Sequence, residues 1–160
     1  AYFFKLRGFK NIKVTDINLN KRKIAKILGL KFVNFNNVKN IDCVINTTSS
    51  YEILNRSLTK LNLDGKIVEA SWYGSKVGKI NLGNEFHSKR IKIISSQVSN
   101  IPLHMKSKHN YKSRLKIAID ALSSSKIMIL INSSSKFNNL DNEYISILKD
   151  QNIIMHSVEY

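Results

Sequence analysis

Asp16 closes the alternating segment Ile12-Lys13-Val14-Thr15-Asp16-Ile17, ahead of a polar stretch that opens a helix. A carboxylate at the end of the second strand of a doubly wound sheet can accept both hydroxyls of an adenosine ribose. The plainer alternative is an Asp that caps the following turn or helix. As a ribose acceptor, Asp16 would repel a 2'-phosphate and so favour NAD over NADP. Three further polar runs end apolar segments: Asn46-Thr47-Thr48-Ser49-Ser50, Ser71-Trp72-Tyr73-Gly74 and Ser95-Ser96-Gln97. Hydroxyls so placed either cap the next helix or line a ligand groove at the carboxyl ends of strands, where the ribose and carboxamide of a nicotinamide could meet them.

Other chemistries find little material. The four histidines, His87, His104, His109 and His156, have no cysteine, histidine or carboxylate at metal-ligand spacing. His104 and His109 sit five apart in a basic run and are expected at the surface. The single cysteine, Cys43, lies in an apolar run and is expected to be a small buried hydrophobe. Neither a Gly-x-Ser-x-Gly elbow nor a phosphate-loop lysine motif is present. No catalytic or metal-ligating residue is therefore assigned.

The formal net charge of +15 raises nucleic acid as a partner. The lysines, however, are spread singly through the chain between apolar residues, and nucleic-acid binding is not favoured. No apolar run approaches the roughly 20 residues needed to cross a bilayer, and no signal-peptide pattern opens the chain. A soluble, cytoplasmic protein is expected.

These residues need strands that alternate with helices, and the pattern supplies them. Residues 1–8 read as the last turns of a helix ending at Gly8, with its beginning missing. Residues 12–17 form a strand, Asn18 or Asn20 caps a helix that stops at Gly29, and a short strand spans 30–35. After the Asn-rich loop 34–40 comes a strand over 42–46, expected to be buried on both faces. Ser49 or Ser50 caps a helix over 51–61, and Asp64-Gly65 turns the chain into a strand over 66–71. A short helical piece at 84–89 precedes a strand at 90–98. Pro102 and the basic run 104–112 mark a crossover. A helix at 111–122, a strand at 126–131, a helix at 140–149 and a strand at 153–158 complete the chain, with serine clusters 123–125 and 133–135 expected as loop ends.

In order and spacing these blocks resemble the zinc-type medium-chain alcohol dehydrogenase family, within it a bacterial threonine-dehydrogenase-like subgroup. The likeness is carried by Val14-Thr15-Asp16-Ile17-Asn18 through Lys21 and by Ala25-Lys26-Ile27-Leu28-Gly29. It continues through Asp42-Cys43-Val44-Ile45-Asn46-Thr47-Thr48-Ser49, Asp64-Gly65-Lys66-Ile67-Val68 and Ser71-Trp72-Tyr73-Gly74. Leu82-Gly83-Asn84-Glu85-Phe86-His87-Ser88-Lys89-Arg90 and Ser95-Ser96-Gln97-Val98 complete it. The implied fold is α/β: a partial Rossmann doubly wound parallel sheet over 1–97, followed by a C-terminal segment of a GroES-like catalytic domain over 98–160. The resemblance implies that Asp16 and Lys21 bind the adenosine ribose of NAD and that Thr47, Thr48 and Ser49 lie beneath the nicotinamide ribose. Ala70, Ser71 and Trp72, with Ser95, Ser96 and Gln97, would hold the nicotinamide ring and carboxamide. The implied reaction is hydride transfer between an alcohol or carbonyl substrate and NAD, with zinc polarising the oxygen.

The departures are large. The family's first strand, Gly-x-Gly-x-x-Gly turn and N-terminal domain with the zinc ligands are missing, so the fragment alone is expected to expose apolar surface and to be inactive. A homodimer through the strand at 90–98 is a further expectation. A zinc-independent NADPH quinone reductase of the same superfamily is the alternative enzyme, against which Asp16 counts. A methyltransferase holding the ribose of S-adenosylmethionine and a basic nucleic-acid-binding module are the remaining readings.

Overall fold

Thirteen helices and strands carry the described residues, which in this computed structural model are 1–123 and 126–160. In chain order they are α1 (Tyr2–Leu6), β1 (Lys13–Val14), α2 (Lys21–Ile27), β2 (Lys31–Phe32), β3 (Ile41–Asn46), α3 (Tyr51–Leu58) and β4 (Leu61–Glu69). There follow α4 (Asn84–Ser88), β5 (Lys92–Ser95), α5 (Tyr111–Leu122), β6 (Ile131–Lys136), α6 (Leu140–Lys149) and β7 (Met155–Glu159). Among the described residues every strand pairing is parallel. The chain packs as two compact units, one formed by Ala1–Phe35 with Lys106–Tyr160 and the other by Asn36–Met105.

The second unit holds a three-stranded sheet in the order β3-β4-β5. Its core follows from helical spacing: Leu54 and Leu58 project from one face of α3 onto Leu61, Ile67 and Ile91, with Tyr51, Phe86 and Ile93 packed around them. Ser50 caps α3, its hydroxyl accepting from the Ile53 amide, and so settles the choice between Ser49 and Ser50. The expected Asp64-Gly65 turn is a distortion inside β4: Asp64 takes φ +58° and the β3–β4 register shifts between Ile41 and Cys43. Strand β3 is less buried than its apolar sequence predicts. It is paired only with β4 among the described residues, so Ile45 is 42% exposed and Cys43 is also exposed, against the expectation of burial. Desolvation still pushes the Cys43 thiol up, outweighing Lys66 beside it, which keeps the thiolate scarce at neutral pH.

The first unit carries two parallel pairs, β1-β2 and β6-β7. Helices α5 and α6 span the predicted residues, and α5 opens with a reciprocal cap between Asn110 and Ser113. The expected strand at 126–131 is instead a 3-10 turn over Ile127–Leu130, with Ile127 buried, and the strand begins at Ile131. The serines at 133–135, expected as a loop end, belong to β6. Buried Ser135 and half-buried Ser133 each hydrogen bond one ring nitrogen of His156 on β7, at 2.8 and 2.9 Å. Ser124 and Ser125 of the other serine cluster lie outside the described residues. His104 is exposed as expected, whereas His109 is half-buried, its Nδ1 enclosed without a hydrogen-bond partner among the described residues.

Candidate functional site

The site residues named from the sequence fall into two groups, one in each compact unit. In the first, Asp16 lies between β1 and α2. Its Oδ1 accepts from the Asn18 amide at 2.8 Å, and its Oδ2 pairs with Lys21 Nζ at 3.0 Å, so the two residues assigned to one ribose do meet. This Asp turn is the plain structural role weighed above, performed on Asn18 rather than on the helix amides. It does not exhaust the carboxylate, which has about four lone-pair positions. With about a third of each side chain exposed, 32% for Asp16 and 33% for Lys21, the pair remains open to a diol. Asn18 Oδ1 in turn accepts from the Asn20 amide, and the Asn18 side chain donates to Gln151 O at 3.1 Å and Asn152 Oδ1 at 3.2 Å.

In the second unit the register puts Asn46 beside Glu69 and Glu69 beside Ser95, a row across the carboxyl ends of three parallel strands. Parallel sheets present their ligand crevice at this edge. The backbone continues the row, since the Ala70 amide donates to Asn46 O and the Ser96 amide to Glu69 O. Beyond the strand ends the hydroxyls bind one another's loops. The Ser49 amide donates to Ser71 Oγ at 3.0 Å and Ser49 Oγ donates to Trp72 O at 3.0 Å. Thr48 Oγ1 donates to Asn46 Oδ1 at 2.8 Å. Thus Thr48, Ser49, Ser71 and Trp72 are brought together. Thr47 and Ala70 are exposed neighbours of that cluster, Ser95 and Ser96 extend the row, and Gln97 accepts from Asn100. The Trp72 side chain is 89% exposed, a flat apolar surface standing free at the strand edge.

The sequence reading missed what lies beneath. Asn46 is 2% exposed and donates from Nδ2 to Glu69 Oε1 at 2.8 Å and to Tyr73 Oη at 3.3 Å. Glu69 Oε2 is enclosed without a hydrogen-bond partner among the described residues. Burial, with the negative Glu69 carboxylate and then Tyr51 adding to it, pushes the Tyr73 phenol up to about 12. Tyr51 stacks obliquely on Tyr73 with ring centroids 4.7 Å apart, and a Cβ on Gly78 would fall 2.2 Å from the Tyr51 ring, so only glycine allows that approach. The signal in the sequence was a polar residue ending each apolar strand, Asn46 and Glu69. No spacing rule marked the two as partners.

Among the described residues no group of three or more His, Cys, Asp or Glu side chains lies together as a metal site, and no helix is long and apolar enough to cross a membrane. The donor set does not fit zinc. Within the first unit Asp16 offers a carboxylate that can accept from a diol, and within the second the parallel-strand edge offers hydroxyls beside an exposed aromatic face.

No protein-family profile and no curated protein matches the chain. Solved structures do. A 2R,3R-butanediol dehydrogenase from Bacillus subtilis superposes with a TM-score of 0.76 at 12% identity, over 99% of this chain and 46% of that one. A protein described as a short chain alcohol dehydrogenase from E. coli CFT073, complexed with NADH, gives 0.74 at 17% identity over 96% and 45%. A glucose dehydrogenase from Haloferax mediterranei, in complex with NADP, Zn and gluconolactone, gives 0.69 at 12% identity over 99% and 46%. This chain therefore has the mixed α/β fold, with parallel sheets, of the Rossmann-like C-terminal half of zinc-type medium-chain alcohol dehydrogenases, and it spans less than half the length of each of these proteins.

Proposed function

We propose that this chain is the cofactor-binding part of an NAD(H)-dependent oxidoreductase acting on an alcohol or its carbonyl product. The observation that carries the reading is the polar row at the carboxyl ends of β3, β4 and β5, in a fold shared with dehydrogenases of which one was solved with NADH. When bound, the cofactor supplies the hydride acceptor and donor. The chain's residues bind and orient it. Asp16 and Lys21 take the adenosine ribose, the carboxylate accepting from its hydroxyls. Thr47, Thr48 and Ser49 meet the nicotinamide ribose, and Ala70, Ser71 and Trp72 with Ser95, Ser96 and Gln97 hold the ring and carboxamide. Zinc and the substrate pocket belong to protein outside these residues, to which 98–160 is the return segment. The outer edge of β5, paired only with β4 among the described residues, is offered for a second copy.

Saturation-transfer NMR with NADH tests this directly. Signal is expected at both the adenine and the nicotinamide protons. Asp16→Ala should weaken the adenosine-ribose signal at least threefold and narrow the preference for NADH over NADPH, since the carboxylate that repels the 2'-phosphate is gone. Absence of transfer to any NADH proton would sink the reading.

A further inference from the structure

Asn46 is fully buried and uses its whole amide. Its Nδ2 donates to Glu69 and Tyr73, while its Oδ1 accepts from both the Thr48 amide at 3.1 Å and Thr48 Oγ1 at 2.8 Å. A carboxylate oxygen accepts, and Glu69 Oε1 takes the NH2 end of Asn46 toward β4. The oxygen end must then face the turn after β3, where it holds Thr48 by two bonds. A flipped amide would set oxygen against oxygen at Glu69 and nitrogen against the Thr48 amide, a donor. One residue further, Ser49 stands at φ +50°, a conformation a serine keeps only where its surroundings impose it. Glu69 Oε1 accepts from Asn46, while its enclosed Oε2 has no hydrogen-bond partner among the described residues.

We infer that Glu69 is a positioning residue: through Asn46 it sets the turn at 47–49 in the shape that meets the nicotinamide ribose. This inference rests on the cofactor reading above and deepens it. Glu69 touches no cofactor atom in this role. It acts through the buried amide, whose orientation it dictates.

The test compares Glu69→Gln, which keeps an acceptor oxygen for Asn46, with Glu69→Leu, which removes it. Two readouts are taken on the whole chain: hydrogen exchange at the Thr48 amide, and the ratio of nicotinamide to adenine saturation transfer from NADH. Glu69→Leu should speed Thr48 exchange at least tenfold and cut the ratio by half or more. Glu69→Gln should leave both near wild type, a rescue that simple packing would not predict. If leucine disrupts the fold, Glu69→Thr, a good strand former too short to reach Asn46, should give the leucine result. Unchanged Thr48 exchange in a folded leucine or threonine variant overturns the inference, as does Gln behaving like Leu. A changed Thr48 amide with an unchanged NADH ratio also overturns it. Wild-type protein without transfer from NADH defeats the cofactor reading instead, and Thr48 exchange still decides whether Glu69 sets the turn.

Discussion

Tyr73 sits where a polar network meets the strand edge, and its phenol is held near 12 against an ordinary value of 10.0. The raised value means that the folded state retains the proton more tightly than the unfolded chain does. The resulting stabilisation is fully present below pH 10 and is lost as pH rises from 10 toward 12. Urea unfolding across that range should therefore show wild type losing stability relative to Tyr73→Phe, which cannot ionise. Parallel curves for the two proteins would refute the assignment. Removing the charge at Glu69 by Glu69→Gln should lower the Tyr73 midpoint, read as phenolate absorbance, because the carboxylate is the largest contributor after burial. Ser49 offers a second test at this scale. Glycine at this position relieves the left-handed backbone by about 1 kcal/mol but gives up the hydroxyl bond to Trp72 O. Ser49→Gly is expected to hold stability within about 1 kcal/mol while weakening nicotinamide binding; a clear stabilisation with unchanged binding would show the hydroxyl to be idle.

The elements of the two units show why some structure was legible and some was not. Helices α5 and α6 could be bounded from sequence because apolar spacing is a local property, as is the Asn110–Ser113 cap that opens α5. The alternation of strand and helix that defines the parallel sheet was legible for the same reason. Burial was not, because it depends on neighbours: the apolar run of β3 looked like an interior strand, yet among the described residues it pairs only with β4, which leaves Ile45 and Cys43 exposed. The serines of β6 misled in the opposite sense. Their propensity suggests a loop, but β7 supplies His156 as a partner across the pair, and nothing near them in sequence announces it. At the site, Asp16 was legible from its place at a strand end and Lys21 only through the family resemblance, whereas Glu69 with Asn46 joins two strands and needed the register. The β3–α3–β4 unit depends on Leu54, 2% exposed, and Ile67, 0% exposed. Leu54→Ala should cost about 2–5 kcal/mol in denaturant unfolding, the range for a large-to-small change in a close-packed core. A loss below about 1 kcal/mol would mean that α3 is not anchored through this residue.

At the scale of the molecule, two long-range tendencies oppose each other. The net charge of +15 pushes copies apart. Against it, α5 leaves Tyr111, Leu115, Ile119 and Leu122 from 44% to 63% exposed, at positions that recur on one face of the helix. Lys112 and Lys116 flank this stripe in sequence, so close approach of a second copy brings like charges together while it covers apolar surface. Salt weakens the first effect far more than the second: the screening length falls from about 10 Å at 0.1 M to about 3 Å at 1 M. Light scattering should therefore report little association at low salt and progressive association as salt rises, with Leu115→Gln plus Ile119→Gln suppressing the rise. Nucleic-acid binding driven by the same charge has the opposite sign, since counterion release makes it fall steeply with salt. Added DNA consequently separates the two: complexes that form at 0.1 M and dissolve by 1 M would restore the basic-module reading, and scattering that ignores DNA but grows with salt would leave the apolar stripe as the surface that governs how this chain meets other molecules.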